Sequence, residues 1–437
     1  MGSKGLSRRE FLKAAGAAGA SAALGDLSKF HVPAYVRQTG EFDLSDPAKV
    51  GEALQAEGAK VVIHSWGFSG LPETTLIPKF AEYTERLYGV PVQAEWATGS
   101  FGNMLTELPL ANKHIRELGI DVIDKEEENF KKIMALEWGE PVNMEQYLPL
   151  LTELPDVEAP YIFNVPDLPV DGGDIYGVVY QGYEWLQALI RKDKVDITHY
   201  EDWVDLARDE MTGKGIDYAF NDSRGHFVFM GILNSLIQKG FVEGDLWSQE
   251  AWEAGITWWR DNLEDKILRF GDIGNDPTMR LSLQTGEAWW AATWGVYTRE
   301  LLAIDWNKQE DVLEAFYPQS GIAADRETMT PVAGADHPVA ARILINWFLS
   351  NEFQHVGWYK QGPDDAEGTN TWNITEDKYL VVYAGGVKPT NREVMPEWAK
   401  PYYPADPGSL ILPVDWEWYT PNAEWISSTY DRIVKGI

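Results

Sequence analysis

The sequence contains no cysteine. That absence excludes disulfides, iron–sulfur clusters, thiolate zinc sites and c-type haem, and it removes the thiol on which a lipid anchor would be built. Histidine is scarce, with His31, His64, His114, His199, His226, His337 and His355 making up all seven. None forms a His-x-x-x-His pair or a His-Glu-x-x-His motif, so no metal site and no cofactor is expected. Gly-x-Ser-x-Gly and Walker-type loops are also missing, which leaves nucleophilic hydrolysis and nucleotide binding without a positive signal. Basic residues are few, 37 against 68 acidic ones, for a formal net charge of −31. Such a surface repels nucleic acid and anionic membranes, so no nucleic-acid partner is expected. Attraction of a cationic solute and a salty habitat both account for the acid excess. Beyond the N-terminus no run reaches about 18 consecutive apolar residues, the length a membrane-spanning helix needs.

The first residues are informative. Ser7-Arg8-Arg9-Glu10-Phe11-Leu12-Lys13 precedes a stretch of small and apolar residues from Ala14 to Leu24, and Ala20-Ser21-Ala22 supplies a small-x-small triplet. A charged region, a short apolar region and a cleavage triplet in this order form a twin-arginine export signal, with cleavage expected after Ala22. The chain is therefore expected at the periplasmic or extracellular face of the cell membrane. Roughly 415 residues follow, enough for two globular units at about 100–200 residues each.

Residues 23–57 show no sustained periodicity and read as a loose N-terminal arm. Lys60 to Trp66 is a short apolar run suited to a buried parallel strand. Leu76, Ile77, Phe80, Tyr83 and Leu87 then share one helical face, which Gly89 ends. Val90 to Trp96 reads as a second strand, a helical pattern runs on to Leu118, and Ile120 to Ile123 reads as a third strand. Alternation of strand and helix implies an α/β unit with a parallel sheet. The segment Glu126 to Lys132 reads as a solvated helix. Turn residues accumulate between Pro141 and Gly173, which marks an inter-lobe region. A strand from Ile175 to Tyr180 opens a second α/β unit, with helices at Tyr200–Met211, Phe227–Lys239 and Gln249–Asn262. Further helices are expected near His337–Leu349 and, beyond a Gly/Pro/aromatic region ending at Pro421, at the C-terminus.

Tyr317-Pro318-Gln319-Ser320-Gly321 is followed by Val332-Ala333-Gly334-Ala335-Asp336-His337-Pro338, and then by an Ala-rich segment ending Asn346-Trp347-Phe348-Leu349-Ser350. This order resembles the extracellular solute-binding proteins of ABC importers that include the spermidine/putrescine binders. Trp66 at the end of the first strand, the Thr285-to-Gly295 run around Gly286-Glu287, and Val387-Lys388-Pro389-Thr390-Asn391 carry the same resemblance. It implies a type II periplasmic-binding-protein fold: two α/β lobes with a hinge and a central ligand cleft. The lobes are expected at residues 58–175, with about 318–370 returning, and at 176–317, with about 371–437 returning or packing on the hinge. It further implies a monomer, not an enzyme, that takes a small polar solute (a polyamine-like cation, another amine or zwitterion, or a sugar) to a membrane permease.

The resemblance places Trp66, Ser100, Tyr183, Asp222, Arg224, Trp294 and Glu327 at the ligand. Carboxylates suit ammonium groups, and aromatic faces suit alkyl chains and cations. Asp325 stands where polyamine binders have Trp, and Gly225 where they have a second acid, so only part of the polyamine set is retained. Arg224 is also suited to a bidentate clamp on a carboxylate or phosphate. Each residue has a plainer role open to it: Trp294 as a core aromatic, Asp222 as a turn or cap residue before the next helix, Glu327 as an edge charge. The rival class is a secreted carbohydrate-active enzyme, which needs two carboxylates about 5–9.5 Å apart across a cleft. The sequence has many acids and no distinctive pair.

Overall fold

The computed structural model describes residues 46–65, 76–99, 101–126, 177–218, 223–271, 276–294, 312–349 and 410–437, with isolated residues and short stretches between them. The described elements group into two compact units.

In the first unit, helix α1 (Pro47–Ala56) leads into strand β1 (Lys60–His64), helix α2 (Ile77–Tyr88), strand β2 (Gln93–Ala97), helix α3 (Phe101–Leu110) and strand β3 (Val122–Glu126). α1 corrects the expectation of a loose arm for residues 47–56; residues 23–45 lie outside the described residues. Its N-cap Asp46 accepts the amides of Ala48 and Lys49, and Pro47 occupies the first turn, where its missing N–H costs nothing. Val50 and Leu54 on its inner face are buried. α2 ends at Gly89, whose φ of 70° is the left-handed conformation that favours glycine. The sheet is parallel, with β1 central: Lys60 to His64 pair with Gln93 to Ala97, and Ile63 and His64 pair with Val122 and Ile123. One face carries a core of Val62, Phe101, Leu105, Ile123, Ile133 and Trp138.

The chain returns to this unit at Thr328, within strand β9 (Ile322–Pro331), and continues into helix α7 (Pro338–Leu349). The return falls later than the expected residue 318 because β9 runs unbroken through that stretch. α7 begins without a Ser or Thr cap of its own, and its leading amides are satisfied from far along the chain. Glu57 accepts the amides of Val339 and Ala340 at 2.9 and 3.1 Å, and Asp121 accepts the amide of His337 at 3.1 Å.

The second unit is built on strand β4 (Gly177–Arg191), whose first residues belong to the first unit. It is far longer than the expected strand from Ile175 to Tyr180. The stretch Leu186 to Arg191 is buried throughout, as a central strand requires. Strand β5 (Gly215–Tyr218), helix α4 (Ser223–Gln238), helix α5 (Gln249–Asn262), strand β6 (Ile267–Gly271), helix α6 (Asp276–Thr285), strand β7 (Trp290–Trp294) and strand β8 (Leu313–Phe316) follow. β8 and β7 flank β4 as antiparallel neighbours, β7 pairs parallel with β5, and β5 with β6. The segment Tyr200–Met211 holds two 3₁₀ turns, Trp203–Ala207 capped by Asp202 and then Asp209–Met211, not the α-helix expected there. α4 is buried on nearly every side, as a core helix apolar all round must be. Strand β10 (Ile411–Leu412) and helix α8 (Trp416–Tyr430) close the chain. α8 starts before Pro421 because Asp415 caps it, accepting the amides of Glu417 and Trp418. Among the described residues no helix is long and apolar enough to cross a membrane.

Candidate functional site

Open α/β sheets offer ligands the space beyond the carboxyl ends of their parallel strands. Each unit places buried polar groups at those ends. In the first unit β1 ends in His64 and Ser65, and β3 ends in Asp124, Lys125 and Glu126. Successive strand residues face opposite sides, so this pairing puts His64 and Lys125 on the face covered by α3 and puts Ser65 and Asp124 on the other. The Ser65 hydroxyl donates to the Asp124 carboxylate. On the α3 side the His64 ring lies 5.4 Å from that of Phe101, and the Lys125 ammonium lies 5.6 Å from the Phe101 ring. Burial, reinforced by the charge of Lys125, lowers the His64 pKa to about 4. The imidazole is therefore neutral at physiological pH. Serine, histidine and aspartate are neighbours here without forming a nucleophilic triad, because His64 faces away from the Ser65–Asp124 pair.

In the second unit β5 ends in Asp217 and Tyr218, and α4 starts five residues later. Arg224, in the first turn of α4, is buried and holds its guanidinium 4.4 Å from the centre of the Tyr218 ring. At that distance the cation is attracted to the ring face. Asp217 is fully buried, and desolvation raises its pKa to about 7 even though the Tyr218 amide donates to it at 2.7 Å. Thr293 pairs with Gln187 across β7 and β4, and both are buried.

Of the residues expected at a ligand, Arg224 is the one whose side chain is described. Tyr183, Trp294 and Glu327 lie in β4, β7 and β9, with Trp294 closing its strand; their side chains lie outside the described residues. Trp66, Ser100 and Asp222 lie outside them altogether, one residue beyond Ser65, one residue before α3 and one residue before α4 respectively. The sequence reading missed His64, Lys125 and Tyr218. In the sequence the third strand reads as ending at Ile123 and a solvated helix as starting at Glu126, so Asp124 and Lys125 fall in neither; their signal is only that they directly continue an apolar strand. Among the described residues no group of three histidines or acids is placed to hold a metal ion.

Comparison with known proteins adds the family. Residues 5–25 match the twin-arginine translocation signal sequence, and the chain is exported. No curated protein sequence matches the chain. Several solved structures share its fold. An ABC transporter structure from Clostridium perfringens has a TM-score of 0.56 at 16% identity, covering 86% of this chain and 99% of that one. The spermidine/putrescine ABC transporter substrate-binding protein of Streptococcus pneumoniae has a TM-score of 0.56 at 17% identity, covering 86% and 99%. The ferric binding protein of Campylobacter jejuni has a TM-score of 0.55 at 14% identity, covering 85% and 99%. At these identities the likeness establishes the fold, the α/β architecture of type II periplasmic binding proteins. Residues 116–364, more than half of the sequence, match the bacterial extracellular solute-binding protein family, and the chain belongs to that family.

Proposed function

We propose that this protein captures a small polar solute outside the cell and delivers it to the membrane permease of an ABC importer, working as a monomer and without chemistry of its own. The observation that carries the reading is the placement of buried polar side chains at the carboxyl ends of the parallel strands in both units, His64 and Lys125 in one and Arg224 over Tyr218 in the other. Family membership and export are in keeping with it. Trp66, Ser100, Tyr183, Asp222, Trp294 and Glu327 complete the proposed lining: Trp66 lies just past Ser65 at the end of β1, and Ser100 and Asp222 directly precede α3 and α4. Relatives of the same fold are named for spermidine/putrescine and for ferric ion. The altered positions Asp325 and Gly225 argue for a solute other than a simple polyamine.

Thermal-shift screening of the exported chain against polyamines, amino acids, sugars, betaines and phosphonates tests the reading. A ligand at 100 times its dissociation constant adds about 2.7 kcal/mol of stability, a readily visible rise in Tm. If no solute of any charge class stabilises the protein, the reading fails.

A further inference from the structure

Several buried polar atoms of the first unit, among them Trp138 Nε1 and Thr330 Oγ1, have no hydrogen-bond partner, and His64 is the titratable side chain that leaves both of its polar atoms so. His114 accepts the Arg116 amide at 3.1 Å and pairs with the Glu137 carbonyl at 3.2 Å. Asp121 accepts the amide of Val62, and Asp124 accepts the Ser65 hydroxyl. His64 is fully buried, yet neither of its ring nitrogens has a hydrogen-bond partner outside its own residue. Buried polar groups are almost always paired, and leaving one unpaired is costly.

What surrounds the ring specifies the chemistry that would pair with it. The imidazole lies against the start of α3. Phe101, the helix's first residue, is its ring neighbour, and a side-chain carbon added at Gly99 would stand 4.0 Å from His64 Nε2. The leading amides of a ten-residue helix have no partners within the helix and carry its positive dipole end. Lys125 brings its ammonium to the same face, near the same Phe101 ring. A helix N-terminus, an ammonium and an imidazole N–H each favour a negatively charged oxygen.

We propose that His64, Lys125 and the first turn of α3 form an oxyanion subsite that takes a carboxylate or phosphate group of the captured solute, with a His64 ring N–H donating to it. The proposal rests on the solute-capture reading and narrows it to anionic or zwitterionic solutes. The lowered pKa of His64 suits the role, because a neutral ring keeps one N–H available without adding a buried charge. The protein's net negative charge works against free anions, so a zwitterion such as glutamate is expected to bind more tightly than inorganic phosphate.

The test uses the exported chain with three probes: glutamate, inorganic phosphate and putrescine. Binding is followed by calorimetry and by the ring signals of ¹⁵N-histidine-labelled protein, in which His64 is assigned as the signal absent from His64→Phe or His64→Gln. Glutamate or phosphate is expected to shift that signal saturably. His64→Phe and Lys125→Met are each expected to weaken the same probe by about tenfold or more, the loss typical of a charge-assisted hydrogen bond. If His64→Phe does not fold, the wild-type signal, assigned through His64→Gln, alone decides. Binding of putrescine with neither anion bound overturns the subsite while leaving solute capture standing. Anion binding that leaves the His64 signal unmoved, or that both substitutions leave unchanged, also overturns the subsite. Failure of every probe here overturns the subsite, and failure of the wider solute panel overturns the capture reading as well.

Discussion

Asp121 and His337, 216 positions apart, meet through a 2.8 Å bond from the His337 ring to a carboxylate that also accepts the amides of Val62 and His337. One buried side chain thereby fastens β1 to the N-terminus of α7. This is the point at which the returning chain joins the first unit. Removing the carboxylate strands two amides and an imidazole in a buried place, and breaking such a partnership typically costs about 3–5 kcal/mol. Asp121→Ala is expected to lower the unfolding midpoint in urea accordingly. His337→Ala leaves the two amides satisfied and is expected to cost clearly less. Equal losses in the two variants would show that the ring contact, and not the amide contacts, holds the junction.

How far the sequence discloses this fold depends on whether an element announces itself locally. β1 and α2 were legible because an apolar run and a one-sided helical face need no partner to be recognised. α1 was not, since its buried residues, Val50, Gly51 and Leu54, include only two apolar side chains and make no pattern, and its stability comes from the Asp46 cap and from packing. β3 was read three residues short because Asp124 and Lys125 are charged and yet buried, Asp124 accepting a hydroxyl brought by the neighbouring strand. The site follows the same rule. Arg224 was found through the resemblance. His64 was set aside as a lone histidine, because the reason it matters, two unpartnered nitrogens against the start of a helix, exists only once the chain is folded.

Asp217 gives the second unit a pH dependence of known sign. Its folded pKa of about 7 lies above the value of about 3.8 it has when solvated. The unfolded state therefore releases its proton first as pH rises. The stability this group contributes is full below about pH 4 and is lost as pH climbs toward about 7. The loss amounts to a few kcal/mol in order of magnitude. Asp217→Asn can still accept the Tyr218 amide and cannot ionise. Urea titrations at pH 5 and pH 8 are expected to show the variant gaining on the wild type at the higher pH. An unchanged difference between the two at both pH values would count against a raised pKa.

Gly215 is required by contact. A side-chain carbon there would lie 2.3 Å from the indole ring of Trp290, its neighbour across β5 and β7. The ring is fully buried and has no room to withdraw. Gly215→Ala should therefore destabilise by about 1–3 kcal/mol, the usual cost of overpacking a core. Pairing it with Trp290→Leu, which vacates the contact, should recover part of that loss in a double-mutant cycle. Strictly additive effects would mean the two residues do not compete for the same space.

Arg224 separates binding from stability in the second unit. Its guanidinium lies 4.4 Å from the centre of the Tyr218 ring, and a lysine ammonium replaces that planar, five-donor group with a point charge. Arg224→Lys keeps the charge and loses both the planar group and the two-pronged hydrogen bonding. If Arg224 holds the solute, Arg224→Lys should weaken binding of whichever solute the thermal screen identifies by about tenfold or more, the scale of a lost charged hydrogen bond. Tyr218→Leu, which removes only the platform beneath the cation, should then weaken the same solute by a smaller factor, since cation–π stacking contributes about 0.5–2 kcal/mol. Both comparisons need the apo Tm of each variant alongside, because Tyr218 and Arg224 are buried. A fall in Tm with the dissociation constant unchanged would mark the pair as packing of the α4 N-terminus and would remove Arg224 from the site.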